Sequence, residues 1–201
     1  MNLIDAYQRL KSFNLTVVKT ADAADYLDVT SDYASKILAR LAASNAIQKI
    51  KTGLWLVDTS IDVLELPELI SQPSPSYISL YSALFYHGMI EQVSEVIYAA
   101  SLLRTRRYDT KLGVVSLHYI QPDFFFGYEC TDNPKIKMAT PEKALIDTFY
   151  LSMNRSRLFS VLPELEIPRD FNNEQAHQII EKIDSVMRRK KVLSMFEGYV
   201  V

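Results

Sequence analysis

The sequence predicts an α+β protein built in two modules. Three observations predict it. The first 57 residues hold three capped helical segments and then a glycine-tipped pair of strand-like runs. A proline-dense stretch follows. Beyond it, short β-branched runs alternate with helical ones.

Asn2 is placed to cap a helix over residues 3–13, with Leu3, Tyr7 and Leu10 on one face, and Asn14 ends it. Thr20 reads as the cap of a short second helix, where Asp22 suits the helix dipole and Ala21, Ala23 and Ala24 allow close packing. Thr30 caps a third helix over residues 31–44, whose apolar stripe is Ala34, Ile37, Leu38 and Leu41. Its opposite face offers Asp32, Tyr33, Lys36 and Arg40. Residues 46–50 and 54–57 read as two strands joined by Lys51-Thr52-Gly53, with Lys49 and Lys51 on one face and Ile50 on the other. Three helices followed by a basic hairpin is the order of a winged helix-turn-helix.

Residues 31–55 carry Lys36, Arg40, Lys49 and Lys51 against a single acid, Asp32. Cations on a helix face are commonly plain solvated surface, and a small helical unit with a hairpin also serves as a protein-interaction module. Here the cations gather on the two elements that would meet a duplex, the third helix and the wing. The predicted DNA-binding set is therefore Thr30, Ser31, Asp32, Tyr33, Lys36, Arg40, Lys49, Lys51 and Thr52. Four cations give one copy modest affinity, so a monomer or weak dimer binding cooperatively to inverted repeats is expected.

The expected domains are a winged helix-turn-helix over 1–58, a proline-rich connector over 59–76 and an α+β domain over 77–201. Residues 58–75 hold Asp58, Asp62, Glu65 and Glu68 with no cation, and Pro67, Pro73 and Pro75 make the connector semi-rigid. A helix over 78–89 stops at Gly88. Strands are read over 95–100, 113–120, 124–129 and 136–139. Thr140-Pro141-Glu142 starts a helix, and Asn172 or Asn173 caps a final one over 174–196.

Composition places the chain among ordinary globular proteins, with 48% hydrophobic and 23% charged residues and a formal net charge of −2. Any nucleic-acid reading therefore rests on local charge. One cysteine, Cys130, allows no internal disulfide. With no leader and no apolar run of membrane length, the expected location is the cytoplasm.

The order of features resembles the AbiEi family of antitoxins, transcription-regulating partners in bacterial type IV toxin–antitoxin and phage-defence (abortive infection) operons. The likeness covers about residues 5–170. It is carried by the N-terminal unit, Tyr81-Ser-Ala-Leu-Phe-Tyr-His-Gly88, the basic Arg104-Thr-Arg-Arg107, Phe126-Gly127-Tyr128 and, most specifically, Met138-Ala-Thr-Pro-Glu-Lys-Ala-Leu-Ile-Asp147. The resemblance implies an autorepressor that binds inverted repeats in its own promoter. It also implies a C-terminal domain that counters a co-encoded nucleotidyltransferase-like toxin without requiring a stable complex with it.

Other chemistry is weakly signalled. His87, His118 and His177 lie far apart without ligand spacing, so no metal is expected, and no glycine-rich phosphate loop points to a cofactor. Glu142, Lys143 and Asp147 are the one trio suggestive of catalysis, but the first two are adjacent on a helix and diverge by about 100°. The protein is read as a non-enzyme. Arg104, Arg106, Arg107 and Lys111 form a cationic cluster that suits RNA, a toxin substrate or an acidic protein, or else a solvated hairpin; with Glu142, Lys143 and Asp147 they make up the candidate effector set. Arg188–Lys191 falls late in the final helix, where cations offset the dipole. Two other functions stay open: a ligand-sensing winged-helix transcription factor, and an enzyme acting on nucleic acid.

Overall fold

The computed structural model describes residues 1–153, Phe159 and residues 163–200. Its class is mixed α+β. Helix α1 (Leu3–Ser12) is capped by Asn2, whose side chain accepts from the Ile4 N–H, and the chain turns at Asn14, which sits in the left-handed region at φ 51°. A short strand absent from the sequence reading follows, β1 (Val17–Lys19). Helix α2 (Thr20–Leu27) starts without a side-chain cap. Thr20, expected in that role, instead accepts a hydrogen bond from the Trp55 Nε1–H at 2.9 Å. Helix α3 (Ser31–Ala43) begins as expected at Thr30, whose hydroxyl accepts from the Tyr33 N–H. Strands β2 (Gln48–Lys51) and β3 (Leu54–Leu56) form the hairpin, and β1 completes an antiparallel sheet in the order β1-β3-β2.

Strand alternation gives this small sheet two apolar faces. Trp55 and Val57 point to α1–α3, with Leu10, Ile37, Leu38 and Leu41. Ile50, Leu54 and Leu56 point the other way. What they meet corrects the expected domain division. The segment read as a semi-rigid connector forms a 3-10 turn (Val63–Glu65) and helix α4 (Leu66–Ser71), whose Leu66 and Ile70 are fully buried against the hairpin. Each such side chain contributes about 1.5–3 kcal/mol of burial. The prolines do not keep this segment extended, because Pro67 sits in the first turn of α4, where no N–H donor is needed. Its acids are also engaged. Glu68 accepts from Lys137 Nζ at 2.9 Å and from the Ser76 N–H, and Glu65 accepts from Asn133 and pairs with Lys135.

The larger sheet has six strands: β4 (Ser76–Ile78), β5 (Val96–Ser101), β6 (Arg106–Asp109), β7 (Val114–Tyr119), β8 (Tyr128–Cys130) and β9 (Lys137–Ala139). Their order is β6-β7-β5-β4-β9-β8, with β5–β7 and β4–β9 parallel and the other pairs antiparallel. Ala99, Val115 and Leu117 face α4 and the N-terminal hairpin, so the two modules share one apolar layer. The opposite face packs on α5 (Leu80–Tyr86), α6 (Pro141–Ser152), α7 (Asn173–Glu181) and α8 (Val186–Val200).

Several expected boundaries shift. Ile78 belongs to a strand, and the helix read over 78–89 is α5 alone, with Gly88 at φ 68° closing the turn after it. The strand read over 124–129 is a 3-10 turn (Pro122–Phe124) and then β8. The final helix is two helices, because Ser185 restarts the chain by accepting the Arg188 N–H on its hydroxyl and the Arg189 N–H on its carbonyl. Among the described residues no helix is long and apolar enough to cross a membrane.

Candidate nucleic-acid interface

Helix α3 buries Ala34, Ile37, Leu38 and Leu41 and leaves the rest of its surface open. Thr30, Ser31, Asp32, Tyr33, Lys36 and Arg40 are all exposed, with 39% of Tyr33 accessible. No salt bridge is formed by Lys36 or Arg40 among the described residues. Cations without acid partners keep their full field for an outside anion. Thr30 is partly committed, since its hydroxyl caps the helix.

The hairpin divides its three predicted residues. Lys49 is exposed, its ammonium 5.6 Å from the centre of the Trp55 ring, and Thr52 is exposed at the turn beside Gly53. Lys51 corrects the expectation of a free DNA contact. It is half-buried and donates to the Ile70 carbonyl at the end of α4 at 2.6 Å. The β2–β3 register shifts between Lys49 and Lys51. Burial pushes its ammonium below the usual lysine range, and the nearby charges of Lys19 and Arg106 push the same way. Lys51 docks the hairpin on α4.

The candidate effector residues separate into a buried group and an exposed one. Thr140 caps α6 by accepting from the Lys143 N–H, and Pro141 occupies its first turn. Helix α6 is buried on every side, so Lys143 and Asp147, one turn apart, have no accessible surface at all. Lys143 Nζ donates to Asp147 Oδ1 and to the Phe124 carbonyl at 3.0 Å, and lies 3.6 Å from the centre of the Phe124 ring. Asp147 Oδ2 accepts from Tyr77 Oη at 2.9 Å and from Ser79 Oγ at 2.8 Å. Burial pushes the Lys143 ammonium down, with Lys182 pushing the same way, and pushes the Asp147 carboxyl up; the mutual attraction of the pair acts against both shifts, and the Ser79 and Tyr77 hydroxyls act against the second. The Tyr77 phenol is pushed well up by burial and by Asp147. Glu142, also buried, accepts the Asn172 N–H at 2.8 Å and so fixes the start of α7.

Lys143 Nζ and both Asp147 carboxylate oxygens have protein partners, and neither side chain has accessible surface. The trio suggestive of catalysis is thus a closed brace between α6, β4 and the Phe124 turn. Gly127 belongs to it as well. At φ 76° it takes a conformation that L side chains avoid, and a Cβ there would sit 3.0–3.2 Å from the Lys143 stem. Tyr77 and Ser79 were missed in the sequence, where only a hydroxyl at each of two nearby positions could have signalled them.

Arg104, Arg106, Arg107 and Lys111 form the exposed group. The structure places Arg106 and Arg107 on β6, a strand the sequence reading did not expect. Arg107 pairs with Asp109 at 3.2 Å, Arg106 lies over the Tyr108 ring, and Lys111 donates to Asn45 Oδ1 at 2.9 Å. A cleft of about 450 Å³ lies between β1 and α4, but its charges, Glu65, Glu68, Lys135 and Lys137, are already cross-paired.

No protein-family model matches the chain, and no curated protein is found to match it. Among the described residues no cluster of three or more histidine, cysteine or acidic side chains could hold a metal ion.

Proposed function

We propose that the N-terminal unit is a winged helix-turn-helix and that the protein binds duplex DNA through the open face of α3 and the tip of the β2–β3 hairpin. The single observation behind this reading is the state of Lys36 and Arg40: exposed, without a salt bridge among the described residues, and on a helix whose other face is anchored in the core. Phosphate neutralisation supplies affinity, and Ser31, Asp32 and Tyr33 at the start of the helix are placed to meet base edges. Lys49 and Thr52 supply the wing contacts, while Lys51 serves the docking of the wing.

The wider reading is an autorepressor and antitoxin of the type IV kind, acting against a co-encoded nucleotidyltransferase-like toxin. Its support is the likeness of the sequence blocks to the AbiEi family. In that reading the Met138–Asp147 block maintains the fold of the C-terminal module, because its charged residues are enclosed and none faces solvent. The protein is proposed to be a non-enzyme on the same ground.

The test uses the full chain, because α4 and the hairpin share one apolar layer with β5 and β7 and truncation would open it. Wild-type protein is expected to retard a duplex containing the inverted repeats upstream of its gene, and Lys36→Ala with Arg40→Ala to weaken that shift at least tenfold. In cells making the toxin, the same double variant is expected to lose repression and keep antagonism. Loss of both activities in a protein that still folds contradicts the division of labour.

A further inference from the structure

The end of α5 and the approach to β5 leave apolar side chains uncovered. Phe85 and Tyr86, in the last turn of α5, are 41% and 53% exposed, and Val93, ahead of β5, is 68% exposed. Single exposed hydrophobics are ordinary on a protein surface, but these three ring one cleft of about 350 Å³. Its floor is the buried Met138 of β9, with half-buried Leu64, Val96 and Ile97 beside it. Exposed rings at the mouth over an aliphatic floor make a concave site rather than a flat face.

The walls are held in place before anything binds. The Ser82 hydroxyl accepts the Tyr98 N–H at 2.8 Å and donates to the Val96 carbonyl at 3.3 Å, which ties α5 to β5. Ser94 Oγ accepts the Val96 N–H at 3.1 Å and donates to the Val96 carbonyl at 2.9 Å. Tyr86 meets the His87 ring edge-on, and His87 Nε2 lies 2.7 Å from the Ala139 carbonyl. Both serines are thus engaged with backbone groups. The Tyr86 hydroxyl is the one side-chain donor of the lining without a partner among the described residues.

No charged side chain lines this cleft. The two larger clefts differ: one, between β1 and α4, holds Glu65, Glu68, Lys135 and Lys137, and the other, beside Tyr150, holds Asp184 and Arg188. An ionised occupant would lose water in the apolar cleft and gain no counter-charge there, whereas an apolar ring loses only unfavourable hydration. The volume lies within the range of small-molecule sites, about 300–1,000 Å³. Its nine lining residues are few beside the roughly 20–30 that each partner brings to a stable protein interface.

We propose that the cleft between α5, β5 and β9 is a binding site for a small, uncharged, ring-bearing molecule with one hydrogen-bond acceptor. Phe85, Val93 and Met138 pack against the ring, and the Tyr86 hydroxyl donates to the acceptor. The site stands independently of DNA binding and of toxin antagonism.

The experiment titrates the full chain, labelled at its isoleucine, leucine, valine and methionine methyls, with quinoline at neutral pH and follows the methyl NMR spectrum. Quinoline is expected to shift the methyls of Leu64, Val93, Val96, Ile97 and Met138 alone, and to saturate with a Kd on the order of 0.1–1 mM. A quinoline carboxylate, the same ring with a charge, is expected to bind at least tenfold more weakly. Val93→Asp sets a carboxylate at the mouth and Phe85→Ala removes one wall. Each is expected to weaken quinoline at least tenfold while methyls elsewhere keep their wild-type positions. Tyr86→Phe, which keeps the ring and removes the donor, is expected to weaken it about fivefold. Where Val93→Asp does not fold, Phe85→Ala decides. Shifts spread over the whole methyl set, or unchanged affinity in Phe85→Ala, overturn the inference. Equal binding of the carboxylate overturns the ligand class, and unchanged affinity in Tyr86→Phe overturns the assigned donor. Dimerisation in sedimentation that Val93→Asp abolishes would make a second copy the occupant and overturn the inference as well.

Discussion

Helices α3 and α6 begin almost identically. Each is capped by a threonine, Thr30 or Thr140, whose hydroxyl accepts the N–H three residues on, and each has an acid at its second position, Asp32 or Glu142. Each carries a lysine in its first two turns. Their surroundings differ completely. α3 buries one stripe and leaves Lys36 and Arg40 in solvent, whereas α6 is enclosed and holds Lys143 against Asp147. The same local sequence grammar thus produces an open charged face in one place and a structural brace in the other. What decides between them is whether another element packs over the cation. An enclosed charge must be paired, at a cost in desolvation; an open one remains available to an outside partner.

The largest effect that sharpens this contrast comes from breaking the brace. Asp147→Ala leaves the Lys143 ammonium buried without its counter-charge and is expected to lower stability to denaturant by about 3–5 kcal/mol. Lys143→Met with Asp147→Asn, which removes both charges and keeps an acceptor for Tyr77 and Ser79, is expected to cost less than the sum of the two single changes. Additive losses would break the pairing account.

A second effect concerns His118, buried on the same side of the large sheet. Its ring meets Ser116 Oγ at 2.9 Å and the Phe159 ring edge-on, and burial pushes its pKa down to about 4. In the unfolded chain the group titrates near its ordinary value of about 6.5, so between these values the unfolded state binds a proton that the folded state refuses. Stability is therefore expected to fall as pH is lowered from about 6.5 to about 4, by up to about 3 kcal/mol. Denaturant titrations across that range check it, and His118→Gln should flatten the slope.

Gly127→Ala is expected to be smaller, about 1–3 kcal/mol, from the positive φ and the crowding of the Lys143 stem. A neutral result in thermal melting would mean that the brace is looser than its geometry.

Much of the N-terminal unit was legible because its signals are local. Asn2, Thr30 and Asn14 act through backbone groups within four residues, and the stripe of α3 reports its own burial. The hairpin with its Gly53 turn was legible for the same reason. Three features were not. The burial of α4 depends on a second sheet assembled from residues 76–139, and proline density alone suggested an extended linker. Lys51 looked like any hairpin cation until the α4 carbonyl was placed beside it. The Lys143–Asp147 brace needs Tyr77 on β4 and Ser79 just before α5, 70 and 68 residues ahead of Asp147, and helical spacing cannot reveal such partners.

The most direct test of the contrast joins stability and binding in one variant. Lys36→Ala with Arg40→Ala changes only exposed side chains, so its stability is expected to stay within about 0.5 kcal/mol of wild type. Its affinity for a DNA duplex should fall in the same samples, with a salt slope lower by about 2. A variant that melts like wild type and binds duplex DNA with wild-type affinity and slope would contradict the account.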